Sequence, residues 1–219
     1  MGAGMVSPAA AVTFNAGASQ PWLTQIKLPA NVWAGTSGGA GVLIGVVDTG
    51  IDATNAELTG RVSTLSACAA ISFKCSNGVF DDEGHGTAVA AIAAGASITV
   101  NGMMSGVAPG ASIISEKALS SSGSGTDADV ANGLTRAADA GAKVINLSLS
   151  YIPTARVVAA MNYAAAKGAT IVFAGGNDGK AINGGLDSSG LSATTLSHLV
   201  FAGSVNSQNV KSSFSNTPG

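Results

Sequence analysis

The run Gly41-Val-Leu-Ile-Gly-Val-Val-Asp48-Thr-Gly50 constrains this chain more than any other stretch. It is apolar without alternation, so it has no polar face to show to water. That is the pattern of a strand covered on both sides in a parallel sheet. Thr49-Gly50 supplies the turn that stops it, and Asp48 is thereby delivered to the C-terminal tip of a buried strand. In open α/β sheets, ligands and reacting groups gather outside the carboxyl ends of the strands. What meets Asp48 there is the question that the other residues have to answer.

A chain of 219 residues has room for one substantial α/β domain, and no Pro-rich or charged linker divides it. Residues 1–19 are expected to form an N-terminal arm and 20–219 a single domain. The arm is small and apolar and has no Lys or Arg, so it lacks the charged start of a signal peptide. Charged residues make up 10% and the formal net charge is -2, which leaves no basic stripe for a nucleic-acid backbone. No uninterrupted apolar run is long enough to span a bilayer. With 30 glycines and only 5% aromatics, close helix-to-sheet packing is expected in place of a bulky core. Cys68 and Cys75 fit either a small disulfide loop or two unpaired thiols, and without a nearby His they do not suggest zinc.

Along the chain, a short helix is expected from Pro21-Trp22 in an arm reaching Trp33, and a strand over Ala69 to Phe73. Asp81-Asp-Glu-Gly-His85 leads into a helix of small residues closed by Gly95, which puts His85 at a helix N-terminus. A strand over Ala111 to Ala118 is followed by the connection Ser120 to Gly125. Thr126 and Asp129 then form a capping-box start to a helix whose apolar face is Val130, Leu134 and Ala138. Further strands are expected over Lys143 to Leu149, Ala169 to Ala174 and His198 to Val205. A helix carrying Val157, Met161 and Ala165 lies between the first two and stops at Gly168. Strands alternating with helices of this length make βαβ units, hence a parallel sheet with helices on both faces. Strand tips and helix starts then share one rim, and Asp48, His85 and Asn177, just past the Ala169 to Ala174 strand, all fall on it.

Each of these residues has a plainer role open to it. Asp48 could cap its own turn, His85 could be a packed histidine, and Asn177 could simply occupy a left-handed turn position. Asp81, Asp82 and Glu83 read as an acidic solvated loop before they read as metal ligands. His198 reads as a packing or edge residue. Ser124 lacks the G-x-S-x-G spacing of a nucleophile elbow.

Asp48-Thr-Gly, Gly84-His85-Gly-Thr and Gly176-Asn177, in that order, with Gly106-Val-Ala-Pro109 and Val144-Ile-Asn-Leu-Ser148 between them, resemble the subtilases, the subtilisin-like serine peptidases. The resemblance covers Gln20 to Gly219. It implies an α/β, doubly wound three-layer sandwich with a mostly parallel sheet, and peptide-bond hydrolysis by an Asp-His-Ser triad. Asp48 would orient the imidazole, His85 would act as general base and acid, and Asn177 would donate to the oxyanion. Gly123, Ser124 and Gly125, with Leu149, Ser150 and Tyr151, match the two segments that pair with an extended polypeptide substrate. The resemblance implies no cofactor, a propeptide of its own as a further partner, and a secreted or bacterial cell-surface location such as an autotransporter passenger. Export would favour the Cys68–Cys75 disulfide. The chain departs from the family at Asn55 and Ala88, where histidines are common, and at Ser150, where glycine is commoner. No calcium loop is recognisable between Gly95 and Gly106, so no metal is expected there. The family's nucleophile lies in a G-T-S-x-A-x-P segment beyond the Phe214-Ser-Asn216 region, and the 219 residues contain no such segment after it. The expectation is therefore a peptidase domain incomplete at its C-terminus and inactive as it stands. The alternatives are a subtilase-like pseudo-enzyme that binds extended peptides without cleaving them, and a phosphate-handling α/β enzyme suggested by apolar-strand-D-x-G alone. The last is opposed by the lack of a phosphate-cradling loop and of a third glycine after Gly84-His-Gly86.

Overall fold

The computed structural model describes residues 21–27, 35–95, 106–150, 153–181 and 190–217. The expected arm over 1–19, Trp33, most of the Gly95 to Gly106 segment and Tyr151 lie outside the described residues.

A short helix α1 (Pro21–Gln25) precedes strand β1 (Leu43–Asp48). Then follow β2 (Ala67–Cys68), α2 (His85–Ala94), β3 (Ser112–Lys117), α3 (Asp127–Asp139), β4 (Val144–Leu147), α4 (Ala155–Ala166), β5 (Thr170–Ala174), α5 (Ala193–Ser197) and β6 (Leu199–Ala202). The six strands form one sheet in the order β2-β3-β1-β4-β5-β6, and every pairing between them is parallel. β1 therefore lies inside the sheet with a strand on either side, as its unbroken apolar run requires. The architecture is the expected α/β sandwich.

Alternate side chains of β1 and β3 separate the two packing layers. Ile44, Val46 and Ile113 meet Ala90, Ala91 and Ala94 of α2 on one face. Val47 and Ile114 meet Leu134 and Ala137 of α3 on the other, where Val157 and Met161 of α4 extend the core. Small residues let α3 approach closely. A Cβ placed on Gly45 would come 2.9 Å from that of Ala137, and one on Gly133 would come 2.7 Å from Val47 Cγ1. This is the packing that abundant glycine and scarce aromatics foreshadow. The capping box at the start of α3 is present, with the Thr126 side chain accepting from Asp129 N–H and the Asp129 carboxylate accepting from Thr126 N–H.

The strand expected over Ala69 to Phe73 sits further upstream, as β2. The amides of Ala69 and Ala70 both donate to the carbonyl of Lys117, which ends the ladder. Those of Ile71 and Ser72 turn instead to the Asp129 carboxylate. A side chain thus takes the donors that a strand would have needed. Cys68 and Cys75 are joined by a disulfide with their Cα atoms 5.7 Å apart, closing the loop that Asp129 holds. The strand expected over His198 to Val205 shortens to β6, because His198 instead caps α5, its Nδ1 lying 2.9 Å from the Thr194 carbonyl.

Glu116, on the α3 face of β3, is fully buried. Its Oε2 accepts from Arg136 Nε at 2.8 Å, while Oε1 has no partner among the described residues. Burial pushes its carboxyl up to about 7 from an ordinary 4.5, against the partial offset of Arg136. The folded state then holds a proton that the unfolded state has released between those values. Stability falls as pH rises through that window and levels off above it. Urea unfolding at pH 5 and pH 8 is expected to show this loss, and Glu116→Gln, which keeps an acceptor for Arg136, to remove most of it. An equal loss in the variant would assign the slope to other groups.

Candidate active site

Asp48, at the tip of β1, is fully buried. Its Oδ1 accepts from Thr49 N–H at 2.7 Å and lies 2.8 Å from His85 Nδ1, while Oδ2 is buried with no partner among the described residues. The sequence separates the two residues by 37 positions, and the fold brings them into one hydrogen bond.

The start of α2 is built so that His85 lands there. Gly84 precedes it at φ 103°, a left-handed conformation suited to glycine, and Glu83 Oε2 accepts from His85 N–H at 2.8 Å. Asp81 does most of the fastening. Its Oδ1 accepts from Gly84 N–H at 2.8 Å and from Thr49 Oγ1 at 2.9 Å, and its Oδ2 accepts from Thr87 N–H at 3.0 Å and Thr87 Oγ1 at 2.6 Å. Thr49 Oγ1 in turn accepts from Gly86 N–H at 2.9 Å. The turn after Asp48 and the first turn of the His85 helix are therefore held by one carboxylate and one hydroxyl. Burial opposes ionisation of Asp81, but the hydrogen bonds from Thr87, Gly84 and Thr49 outweigh it and hold its carboxyl below the usual range.

Asp81 corrects the expectation of a solvated acidic loop. The signal was an Asp a few residues ahead of a helix start, where unsatisfied N–H groups collect. Gly86 completes the fit. A Cβ there would lie 2.1 Å from the Gly50 carbonyl oxygen and 3.2 Å from Asp48 Cβ, so only glycine lets α2 come this close to β1.

The hydrogen bond to Asp48 raises the pKa of His85 above its ordinary 6.5; burial opposes this, and the negative charges of Asp48, Glu83 and Asp81 add to it. An imidazole whose Nδ1 is engaged by a buried carboxylate presents Nε2 as its basic atom. The pair can therefore take a proton from a hydroxyl placed before it and return that proton to a leaving group.

The other expected site residues that the structure describes make no hydrogen bond to the pair and stand on segments that follow strands of the same sheet. Gly123, Ser124 and Gly125 are exposed in the connection after β3, and Leu149, buried, and Ser150, exposed, follow β4. Since β3 and β4 are the two neighbours of β1, these segments flank the tip that carries Asp48. Asn177 lies past the end of β5 on the same rim, its side chain exposed and outside the hydrogen bonds of the pair. His198 is remote from it in sequence and caps α5. Among the described residues no group of three or more His, Cys, Asp or Glu side chains could hold a metal ion, and no helix is long and apolar enough to cross a membrane.

Residues 39–218 match the model of the subtilase family. The chain is 36% identical over 185 residues to a thermophilic serine proteinase of Bacillus sp. (strain AK1), an alignment covering 84% of this chain and 43% of the relative. It is 42% identical over 142 residues to thermitase of Thermoactinomyces vulgaris, covering 64% and 49%. It is 49% identical over 108 residues to the cell wall-associated protease of Bacillus subtilis (strain 168), covering 49% and 12%. The crystal structure of a cold adapted subtilisin-like serine proteinase superposes with a TM-score of 0.65 at 29% identity, over 81% of this chain and 60% of that one. The chain thus spans about half the length, or less, of the curated relatives it matches.

Proposed function

Because the chain belongs to the subtilase family, we propose that it supplies the Asp-His half of a serine endopeptidase site, with the nucleophilic serine coming from residues outside these 219. The observation that carries this reading is the hydrogen bond between His85 Nδ1 and the buried Asp48 carboxylate at a parallel strand tip. His85 takes the serine proton and passes it to the leaving amine, Asp48 holds the ring, and the Asn177 side-chain amide donates to the oxyanion. An extended polypeptide lies between the Gly123–Gly125 and Leu149–Tyr151 segments and pairs with them through its main chain. A further feature favours a continuation that packs on this domain: Val200, Phe201, Val205, Val210 and Phe214 leave large apolar side chains exposed on and after the edge strand β6. The disulfide is suited to an oxidising, extracellular compartment, and one relative is named as cell wall-associated. Both support the reading of a secreted or cell-surface location.

The test expresses residues 1–219 beside a form extended to the next in-frame stop, and assays both on casein with and without a serine-directed fluorophosphonate. The extended form is expected to cleave and to be labelled, and the 219-residue chain to do neither. Inhibitor-sensitive cleavage by the 219-residue chain would overturn the assignment of the nucleophile. An extended form that carries the serine yet stays inert after any propeptide is removed would favour the pseudo-enzyme reading.

A further inference from the structure

We propose that Lys117 is a positioning residue that holds three parts of the site at fixed separation: the turn after Asp48, the lead-in to His85 and the residue just before the connection that carries Gly123–Gly125. The functional names of those parts rest on the peptidase reading above, but the geometry does not. Lys117 ends β3 directly opposite Asp48 in the parallel register. Neighbouring side chains in register point to one face of a sheet, so the lysine and the aspartate both stand on the α2 face, at the rim.

The side chain of Lys117 is 1% exposed. Its Nζ donates to the Thr49 carbonyl, to the Leu119 carbonyl at 3.0 Å and to Asp82 Oδ1 at 2.6 Å. An ammonium has three N–H donors and no acceptor, so each proton has one partner. The Phe73 ring lies 6.0 Å from Nζ, within reach of a cation–π attraction. Each acceptor belongs to a different piece of the site. Thr49 follows Asp48, Asp82 follows the Asp81 that fastens α2, and Leu119 precedes Ser120–Gly125. The same segment is also tied by its main chain, because the amides of Ala118 and Leu119 both donate to the Asp48 carbonyl at 2.8 and 3.0 Å.

Burying an ammonium is costly, and an apolar side chain of similar volume is often as good or better for stability. The structural return on Lys117 therefore lies in direction. Its three bonds fix where Thr49, Asp82 and Leu119 stand relative to one another, and an apolar substitute could fill the space without fixing them. Removing the ammonium should disturb the Asp48–His85 pair and loosen Ser120–Gly125 together, beyond any general loss of stability.

The experiment uses the 219-residue chain labelled uniformly with ¹⁵N. It has only two histidines, so His198, which caps α5, serves as an internal control. Lys117→Met is compared with Val157→Ala, which truncates a fully buried residue of α4 on the opposite face, under conditions of equal fraction folded. Lys117→Met is expected to shift or broaden the resonance of the proton between His85 Nδ1 and Asp48, leave His198 unchanged, and speed amide exchange in Ser120–Gly125 at least tenfold. Val157→Ala is expected to leave the His85 signal and the segment as in the parent, and Lys117→Arg, which keeps a cation with several donors, to recover most of the His85 signal. If Lys117→Met does not fold, Asp82→Ala decides. Asp82 is 34% exposed and its loss leaves Nζ two carbonyl partners, so a smaller His85 shift in the same direction is expected. An unmoved His85 signal in a folded variant, or changes spread equally over both histidines, would reduce Lys117 to an ordinary structural ion pair. None of these readouts needs turnover, so failure of the peptidase reading and failure of this proposal are separable.

Discussion

If the proposed serine completes the site, replacing Asp48 by Asn in the extended form is expected to lower kcat/KM for peptide hydrolysis by about 10⁴-fold while leaving the fold in place. The size follows from what the carboxylate does. Asp48 Oδ1 is the acceptor that holds His85 Nδ1 at 2.8 Å, and an amide nitrogen in its place would favour the tautomer whose Nε2 carries the proton and can no longer act as base. The same substitution removes the largest cause of the raised His85 pKa. His85 must be neutral to take a proton, so the acid limb of the parent's pH–rate profile is expected above 6.5 and that of Asp48→Asn at lower pH. NMR titration of His85 in the 219-residue chain should show the same downward move without any turnover. The linked stability has a definite sign. A group whose folded pKa is raised contributes stability that is fully present below its unfolded pKa, near 6.5, and lost as pH rises through the folded value. The variant should lose that dependence. A loss of activity under tenfold, with an unshifted His85 titration, would mean that the pair is structural.

Asp129→Ala is expected to cost about 3–5 kcal/mol, among the largest single-residue effects on stability in this chain. The fully buried carboxylate accepts five hydrogen bonds: from Ile71 N–H, Ser72 N–H and Ser72 Oγ in the disulfide loop, and from Thr126 N–H and Oγ1 at the start of α3. Alanine removes the acceptor and strands the donors together. Burial works against the charge of Asp129, but the bonds from Ser72, Ile71 and Thr126 outweigh it, and the carboxyl is held well below the ordinary 3.8. Its contribution is therefore complete above that value and is lost only as pH falls through the lower folded value. Urea unfolding at pH 7 measures the cost. A loss below about 1 kcal/mol would mean that water replaces the carboxylate at no penalty, as at an exposed turn.

The sequence by itself determined the frame on which these effects depend. A short unbroken apolar run stopped by Thr49-Gly50 reads as an interior parallel strand, so β1 and the burial of Asp48 were legible in a few residues. A Thr and an Asp three apart announce the capping box of α3, and a glycine-bearing turn ahead of a small-residue helix puts His85 at a helix start. All of these signals are local, spanning at most about ten residues of chain, where a residue's own backbone preferences and its near neighbours decide the outcome. Only the tertiary structure decided the rest. Asp81 reads as a solvated charge until Thr49 is brought to it from 32 positions away. Lys117 carried no signal in the sequence, and its role appears only when Thr49 and Asp82, 68 and 35 positions distant, fold over it. Ile71 and Ser72 read as strand until Asp129, more than fifty residues on, takes their amides. In each case the deciding partner is remote in the chain, and a buried polar group has no fate of its own until that partner arrives to satisfy it.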